Sequence, residues 1–262
     1  MRKTMVCAAL ALLVASGAAG AAESWEKKNY KTWSEKECRK LLADSPWAKE
    51  HTQPSQVTLP NIPEGRPAGW ISNDTADPER PPEEVAYRTV ESGPRITYRV
   101  QFRSARPIRQ ALVRQAQLRR NYDAMTPPQK QAFDQEAEQF LGREFPDTVV
   151  VYVTYTASGR ADPRALQQNW KNLTVDTLKD GVFLSGAEGV KAPLMQFMPA
   201  EGDTPAFQLV FPRQVQGRPL VGPGDKRLQL EFPHPEGGGA GRQRVRVEFK
   251  VDKMVVDGQV VY

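Results

Sequence analysis

From Thr148 onward the sequence is cut into short runs of β-branched and aromatic residues, each stopped soon after by glycine, proline or aspartate. This pattern restricts the fold more than any other feature of the chain. Runs of this length, with turns so close behind them, leave little room for crossover helices, so neighbouring strands must pair antiparallel. Strands are predicted over 148–156, 173–178, 182–184, 194–198, 207–211, 228–232, 245–251 and 254–262. Turns fall at 179–181, 217–219, 222–224 and 237–241. The run Thr148-Val149-Val150-Val151-Tyr152-Val153-Thr154-Tyr155-Thr156 is nearly continuously apolar, which predicts a central strand covered on both faces. Val245, Val247, Phe249 and Val251 alternate with Arg244, Arg246, Glu248 and Lys250, which predicts one solvated face. Val256-Asp257-Gly258-Gln259 is a hairpin signal.

Two further strands are predicted upstream, over 85–90 and 96–102; in the second, Ile96, Tyr98, Val100 and Phe102 form the buried face. Between 102 and 148 the period changes from two to about 3.6. Ser104-Ala105-Arg106-Pro107 opens a helix to about residue 122, with Ile108, Ala111, Leu112, Gln115, Leu118 and Tyr122 as its inner stripe. Thr126 caps a second helix, Pro127 suits its first turn, Gln129 completes a capping box and Gly142 ends it. Phe133, Ala137, Phe140 and Leu141 are its apolar face. A short helix is predicted from Asp162-Pro163 to about 171. The expected fold is mainly β: an antiparallel β-sandwich, Ig-like or related, carrying an inserted α-hairpin over 106–142. There is no internal repeat.

An amphipathic helix should also precede the sheets. Ser34 and Glu37 stand at capping-box spacing, and Trp33 is placed to staple Cys38. Cys38, Leu41 and Leu42 share one face, and Ser45-Pro46 ends the helix. Trp47 lies just beyond. Residues 50–84 hold seven of the chain's 22 prolines and are predicted to form an extended strap. The predicted organisation is therefore 1–21, a signal peptide; 22–49, a helical segment; 50–84, the strap; and 85–262, the β domain.

Trp33-Ser34-Glu35-Lys36-Glu37, Leu41-Leu42 and Ser45-Pro46-Trp47-Ala48 resemble the N-terminal signature of an uncharacterised family of secreted bacterial proteins. Residues 104–111, Phe211-Pro212-Arg213 and Lys253-Met254-Val255-Val256-Asp257-Gly258 are similar to further stretches of that family. The resemblance implies a secreted protein and carries no site residue.

Export is expected from the residues as well. Arg2 and Lys3 precede an apolar core over 5–14, and Ala19-Gly20-Ala21 offers small residues for cleavage. No later stretch approaches the ~20 apolar residues of a membrane helix. Removing the leader leaves Cys38 alone of the two cysteines and lowers the net charge from +5 to about +3.

The familiar catalytic constellations lack their parts. The two histidines, His51 and His234, have no neighbours at metal-ligand spacing. His234 stands between prolines, and no Gly-x-Ser-x-Gly elbow exists. No metal or cofactor is implied. Carboxylates alone could serve a glycosidase-type hydrolase. The candidates are Asp134, Glu136 and Glu138 on the second helix, and Glu231 with Glu248 on strands. A solvated acidic helix face and cross-strand arginine partners account for them more simply.

Arg99, Arg103, Arg106, Arg109, Arg114, Arg119 and Arg120 cluster along the second upstream strand and the first long helix. Arg106, Arg109 and Arg114 are the candidates there for binding an anionic envelope polymer or lipid head group; the alternative is a solvated basic face. Trp33 and Trp47 are candidates for ligand stacking or for docking a partner protein. Nucleic acid is not expected as a partner. The leading expectation is an exported, non-catalytic binding or structural module of the periplasm or envelope. A carboxylate-dependent hydrolase, or an accessory subunit docking through the Trp33–Trp47 arm, is the alternative.

Overall fold

The computed structural model describes Trp25 and residues 28–54, 57–60, 87–90, 95–158, 162–186, 189–222, 224–236 and 239–262. The expected leader and most of the expected strap lie outside the described residues. Strand exceeds helix, and every strand pairing is antiparallel.

The chain enters through helix α1 (Glu35–Ala43). Ser34 Oγ accepts from the Glu37 amide at 3.3 Å, and Glu37 Oε2 accepts from the Ser34 amide at 2.8 Å. This reciprocal cap satisfies two of the donors that a helix start leaves unpaired. β1 (Ala48–Pro54) then pairs with β4 (Arg95–Phe102), while β2 (Val57–Pro60) and β3 (Tyr87–Val90) form a separate ladder. The first residues of the expected strap are thus strand: Glu50 lies opposite Arg99, and their side chains meet at 2.6 Å. Cross-strand pairing of this kind is invisible to a local reading of a charged stretch.

α2 (Arg106–Arg119) and α3 (Pro127–Leu141) form the expected hairpin between β4 and β5 (Thr148–Ser158). α4 (Pro163–Lys171) and α5 (Val175–Leu178) follow, then β6 (Phe183–Gly186), β7 (Lys191–Pro193), β8 (Gln196–Pro199) and β9 (Ala206–Pro212). The chain closes with β10 (Gln214–Val215), β11 (Arg218–Pro219), β12 (Arg227–Glu236), β13 (Gly239–Lys250) and the small hairpin β14 (Val255–Val256) and β15 (Gln259–Val260).

Two larger sheets result, ordered β1-β4-β5-β9-β8 and β13-β12-β6-β7. Both are open: β1 and β8 are the edges of one, β13 and β7 of the other. The predicted central strand, β5, occupies the middle of the larger sheet, but it is not covered on both faces as expected: on the outer face Val150 is buried, Tyr152 and Thr154 are half-buried and Thr156 is exposed. Its buried face carries Val149, Val151, Val153 and Tyr155, beside Tyr98, Val100 and Phe102 of β4 and Phe207, Leu209 and Phe211 of β9. The smaller sheet supplies Leu228, Leu230, Phe232, Val245, Val247 and Phe249 to the same core. Rings join the sheets: Phe102 meets Phe249 at 4.8 Å between centroids, and Tyr98 meets Phe232 at 5.2 Å, both edge-on. Trp170 of α4 stacks on Phe207 at 4.0 Å. Such aromatic pairs contribute about 0.5–1.5 kcal/mol each beyond their buried area.

The N-terminal helix shares this core. Trp33, Cys38, Leu41, Leu42 and Trp47 are buried within it. Trp47 Nε1 donates to the Val261 carbonyl at 2.5 Å, so the first and last described segments are tied together.

Two expectations fail on local chemistry. Residues 175–178 are helix, not strand, because Thr174 and Thr177 cap one another: Thr177 Oγ1 accepts from the Thr174 amide at 2.9 Å. Side-chain bonding to the backbone outweighs the β preference of this short run. On α2, Leu118 is 36 % exposed, whereas Arg109, Val113 and Gln117 are all buried. The buried row follows i, i+4, i+8, and two of its three members are polar, which hid it from an apolar pattern search.

Candidate anion-binding site

The hairpin stands on two feet, and the site lies between them. One foot is the turn from β4 into α2. Val150 of β5 accepts from the Arg103 amide at 2.8 Å, and Ser104 Oγ accepts from the Val150 amide at 3.2 Å. Pro107 then fixes the first turn of α2. The other foot is the end of α3, where the Gly142 amide donates to the Glu138 carbonyl at 2.8 Å and the chain runs through Arg143 and Phe145 into β5.

Arg109 joins the feet. Its guanidinium donates to the carbonyls of Ser104 at 2.8 Å, Arg103 at 3.4 Å and Leu141 at 3.3 Å. Leu141 ends α3, so a cation there also answers the negative end of the helix dipole. Arg109 is only 5 % exposed, and its Nε has no hydrogen-bond partner. Burial lowers its affinity for the proton, and the nearby charges of Arg106 and Arg143 lower it further.

Above it lies a cavity of about 340 Å³, lined by Arg103, Arg109, Phe140, Arg143, Phe145, Val150, Tyr152 and Gln208. Each arginine rests on a ring: Arg103 on Tyr152 at 4.4 Å, Arg109 on Phe145 at 5.1 Å and Arg143 on Phe140 at 5.9 Å. Arg103 is half-buried, its Nε is unpartnered, and burial pushes its guanidinium down to about 10. Arg143 is exposed at the rim. Among the described residues, none of the three is ion-paired with a carboxylate. The arrangement is a shaped, partly desolvated concentration of positive charge in which Arg109 is met by backbone carbonyls, and no carboxylate among the described residues pairs with any of the three. A guanidinium set over an aromatic ring with its fork unpaired can bind an oxyanion in two-pronged fashion, and Arg103 and Arg143 are placed to do so.

The predicted residues fall in different places. Arg109 belongs to the site. Arg106 is exposed and outside the cavity lining. Arg114 turns the other way, donating to the Trp33 carbonyl at 2.9 Å and to Gln117 Oε1 at 3.2 Å, so it fastens α2 to the α1 segment. Arg99 pairs with Glu50. Trp33 and Trp47 are 2 % and 0 % exposed and present no face to solvent. Arg143 and the rings were missed. A signal was present in the sequence: arginines stand immediately outside both ends of the hairpin.

Most of the other candidates for chemistry have partners, while Glu136 and Glu138 stand exposed on α3. Glu231 lies opposite Arg246 and accepts from its Nε at 3.0 Å. Glu248 lies 3.7 Å from Arg227. Asp134 accepts from the Tyr122 hydroxyl at 2.7 Å. His234 Nδ1 is 2.6 Å from the hydroxyl of buried Tyr98, against the ring cluster. Cys38 is buried, and desolvation pushes its thiol up to about 11, so it is a poor nucleophile. Among the described residues no group of three histidine, cysteine or carboxylate side chains is placed to hold a metal ion, and no helix is long and apolar enough to cross a membrane.

No protein-family model, curated protein or solved structure matches the chain.

Proposed function

We propose that this protein is an exported, non-catalytic binding module of the bacterial periplasm or envelope, and that it takes an anionic ligand at the foot of its helical hairpin. The single observation that carries the reading is the cavity holding Arg103, Arg109 and Arg143 without an ion-paired carboxylate among the described residues. Burying cations without partners costs stability. An anion entering the cavity would offset that cost with charge-assisted hydrogen bonds. The volume is within the range of small-molecule sites, roughly 300–1,000 Å³. The two facing open sheets support a β-sandwich, Ig-like or related, as the rigid frame. Export rests on the leader-like first 21 residues, whose cleavage N-terminal sequencing of a periplasmic fraction would report.

The carboxylate-hydrolase alternative loses ground because Glu231 and Glu248 are engaged with arginines and Asp134 with a tyrosine. The docking-arm alternative loses ground because Trp33 and Trp47 are closed to solvent. Titration calorimetry of the purified protein with inorganic phosphate at low ionic strength tests the proposal. Saturable heat that disappears in an Arg103→Gln, Arg143→Gln double variant supports it. Equal heats from both proteins would reject the site.

A further inference from the structure

The floor of the cavity continues along the outer face of the larger sheet. Tyr152 of β5 lies opposite Gln208 of β9, and both line the cavity. Gln208 in turn lies opposite Met198 of β8. Directly paired residues share a face and stand about 4.5–5.5 Å apart at Cβ, so Met198 is the next side chain outward from the cavity wall. β8 is an edge strand, and nothing covers this end of the row among the described residues: Met198 is 41 % exposed. Met195, just before β8, is 49 % exposed. Four large hydrophobic side chains are left exposed among the described residues, and these are two of them. A flexible, polarisable thioether beside a charged pocket is suited to an apolar group of variable shape.

Resting on the anion-site reading above, we infer that the ligand is an amphiphile: a phosphomonoester head held by Arg103 and Arg143, with an apolar tail running past Tyr152 and Gln208 onto Met198. Two guanidinium groups without an ion-paired carboxylate among the described residues, with Arg109 behind them, favour a doubly charged head over a single carboxylate. A phosphomonoester carries about −1.5 to −2 at neutral pH. The stacked rings and the methionine then supply the contacts that a free phosphate leaves unused.

The test compares methyl phosphate, hexyl phosphate and hexanol by titration calorimetry on the intact protein, below the aggregation limit of each ligand. Hexyl phosphate should bind at least about tenfold more tightly than methyl phosphate, since shielding even two methylene groups from water accounts for that ratio. Hexanol should not bind measurably. Met198→Ser, at an exposed edge position, should lower the hexyl phosphate affinity about threefold and leave methyl phosphate unchanged. Equal affinities for the two phosphates would overturn the amphiphile and leave the anion site standing, as would an unaltered hexyl phosphate affinity in Met198→Ser. Binding of hexanol as tight as hexyl phosphate would overturn the role of the head. Binding of neither phosphate would remove the anion site itself, and this inference with it.

Discussion

Replacing Arg103 by methionine should make the protein more stable. Arginine keeps its proton at any accessible pH, so the depressed affinity of Arg103 is expressed as a cost of the charged form. A displacement from 12.5 to about 10 corresponds to on the order of 3 kcal/mol at 1.36 kcal/mol per unit. Against this stands the stack on Tyr152, worth about 1 kcal/mol at a partly buried position. Methionine retains most of the side-chain volume and fills irregular space well. The net expectation is a gain of on the order of 1–2 kcal/mol, the direction seen when buried unpaired charge gives way to apolar packing. Urea unfolding at pH 7 in a phosphate-free buffer measures it. Adding phosphate at 100 times its dissociation constant should then stabilise the wild-type protein by about 2.7 kcal/mol and the variant by far less. A loss of more than about 1 kcal/mol in Arg103→Met without ligand would refute the reasoning, because the guanidinium would then be a net structural support.

Cys38 should resist a thiol reagent in the folded protein and react fully once unfolded, since it is 0 % exposed and its thiol is pushed up to about 11; rapid labelling of native protein would show that α1 is not seated. Glu37 is held down at about 2 by Lys28 and by the Ser34 cap. A carboxyl lowered on folding contributes above its unfolded value and loses that contribution as pH falls, here from about 4.5 towards about 2. Glu37→Gln should therefore flatten the stability profile in that window while costing no more than about 1 kcal/mol at pH 7, and an unchanged acid limb in urea titrations would contradict the assignment. Gly186 ends β6, and a Cβ there would stand 2.2 Å from the Leu220 carbonyl oxygen, so Gly186→Ala should lower stability by about 1–3 kcal/mol in the same assay. An unaltered urea midpoint would mean that the Leu220 segment does not approach so closely.

Features governed by neighbours in sequence were legible. The Ser34–Glu37 cap, the hairpin of α2 and α3, the turn at Asp257-Gly258 and the central place of β5 all follow from spacing within a few residues. Features governed by distant partners were not. Glu50 reads as part of a charged strap until Arg99 is set opposite it. Arg109 reads as a binding candidate like Arg106, and its part in joining the two feet is hidden because the Leu141 carbonyl it reaches lies 32 positions away. Arg114 reads as a binding residue until the Trp33 carbonyl is found 81 positions back. The concentration of arginine at the start of the hairpin was visible in the sequence. Its division into one group facing a cavity and another fastening helices depends on where the end of α3 packs against α2, and only the fold sets that.

The nuclear magnetic resonance signal of the Arg103 Nε–H group tests the central claim most directly. This group is buried without a partner at the cavity wall. During titration with a phosphomonoester it should shift along a saturating curve that yields the calorimetric dissociation constant. A signal that stays fixed while exposed side chains such as Arg106 shift instead would place the anion on the surface and contradict the account.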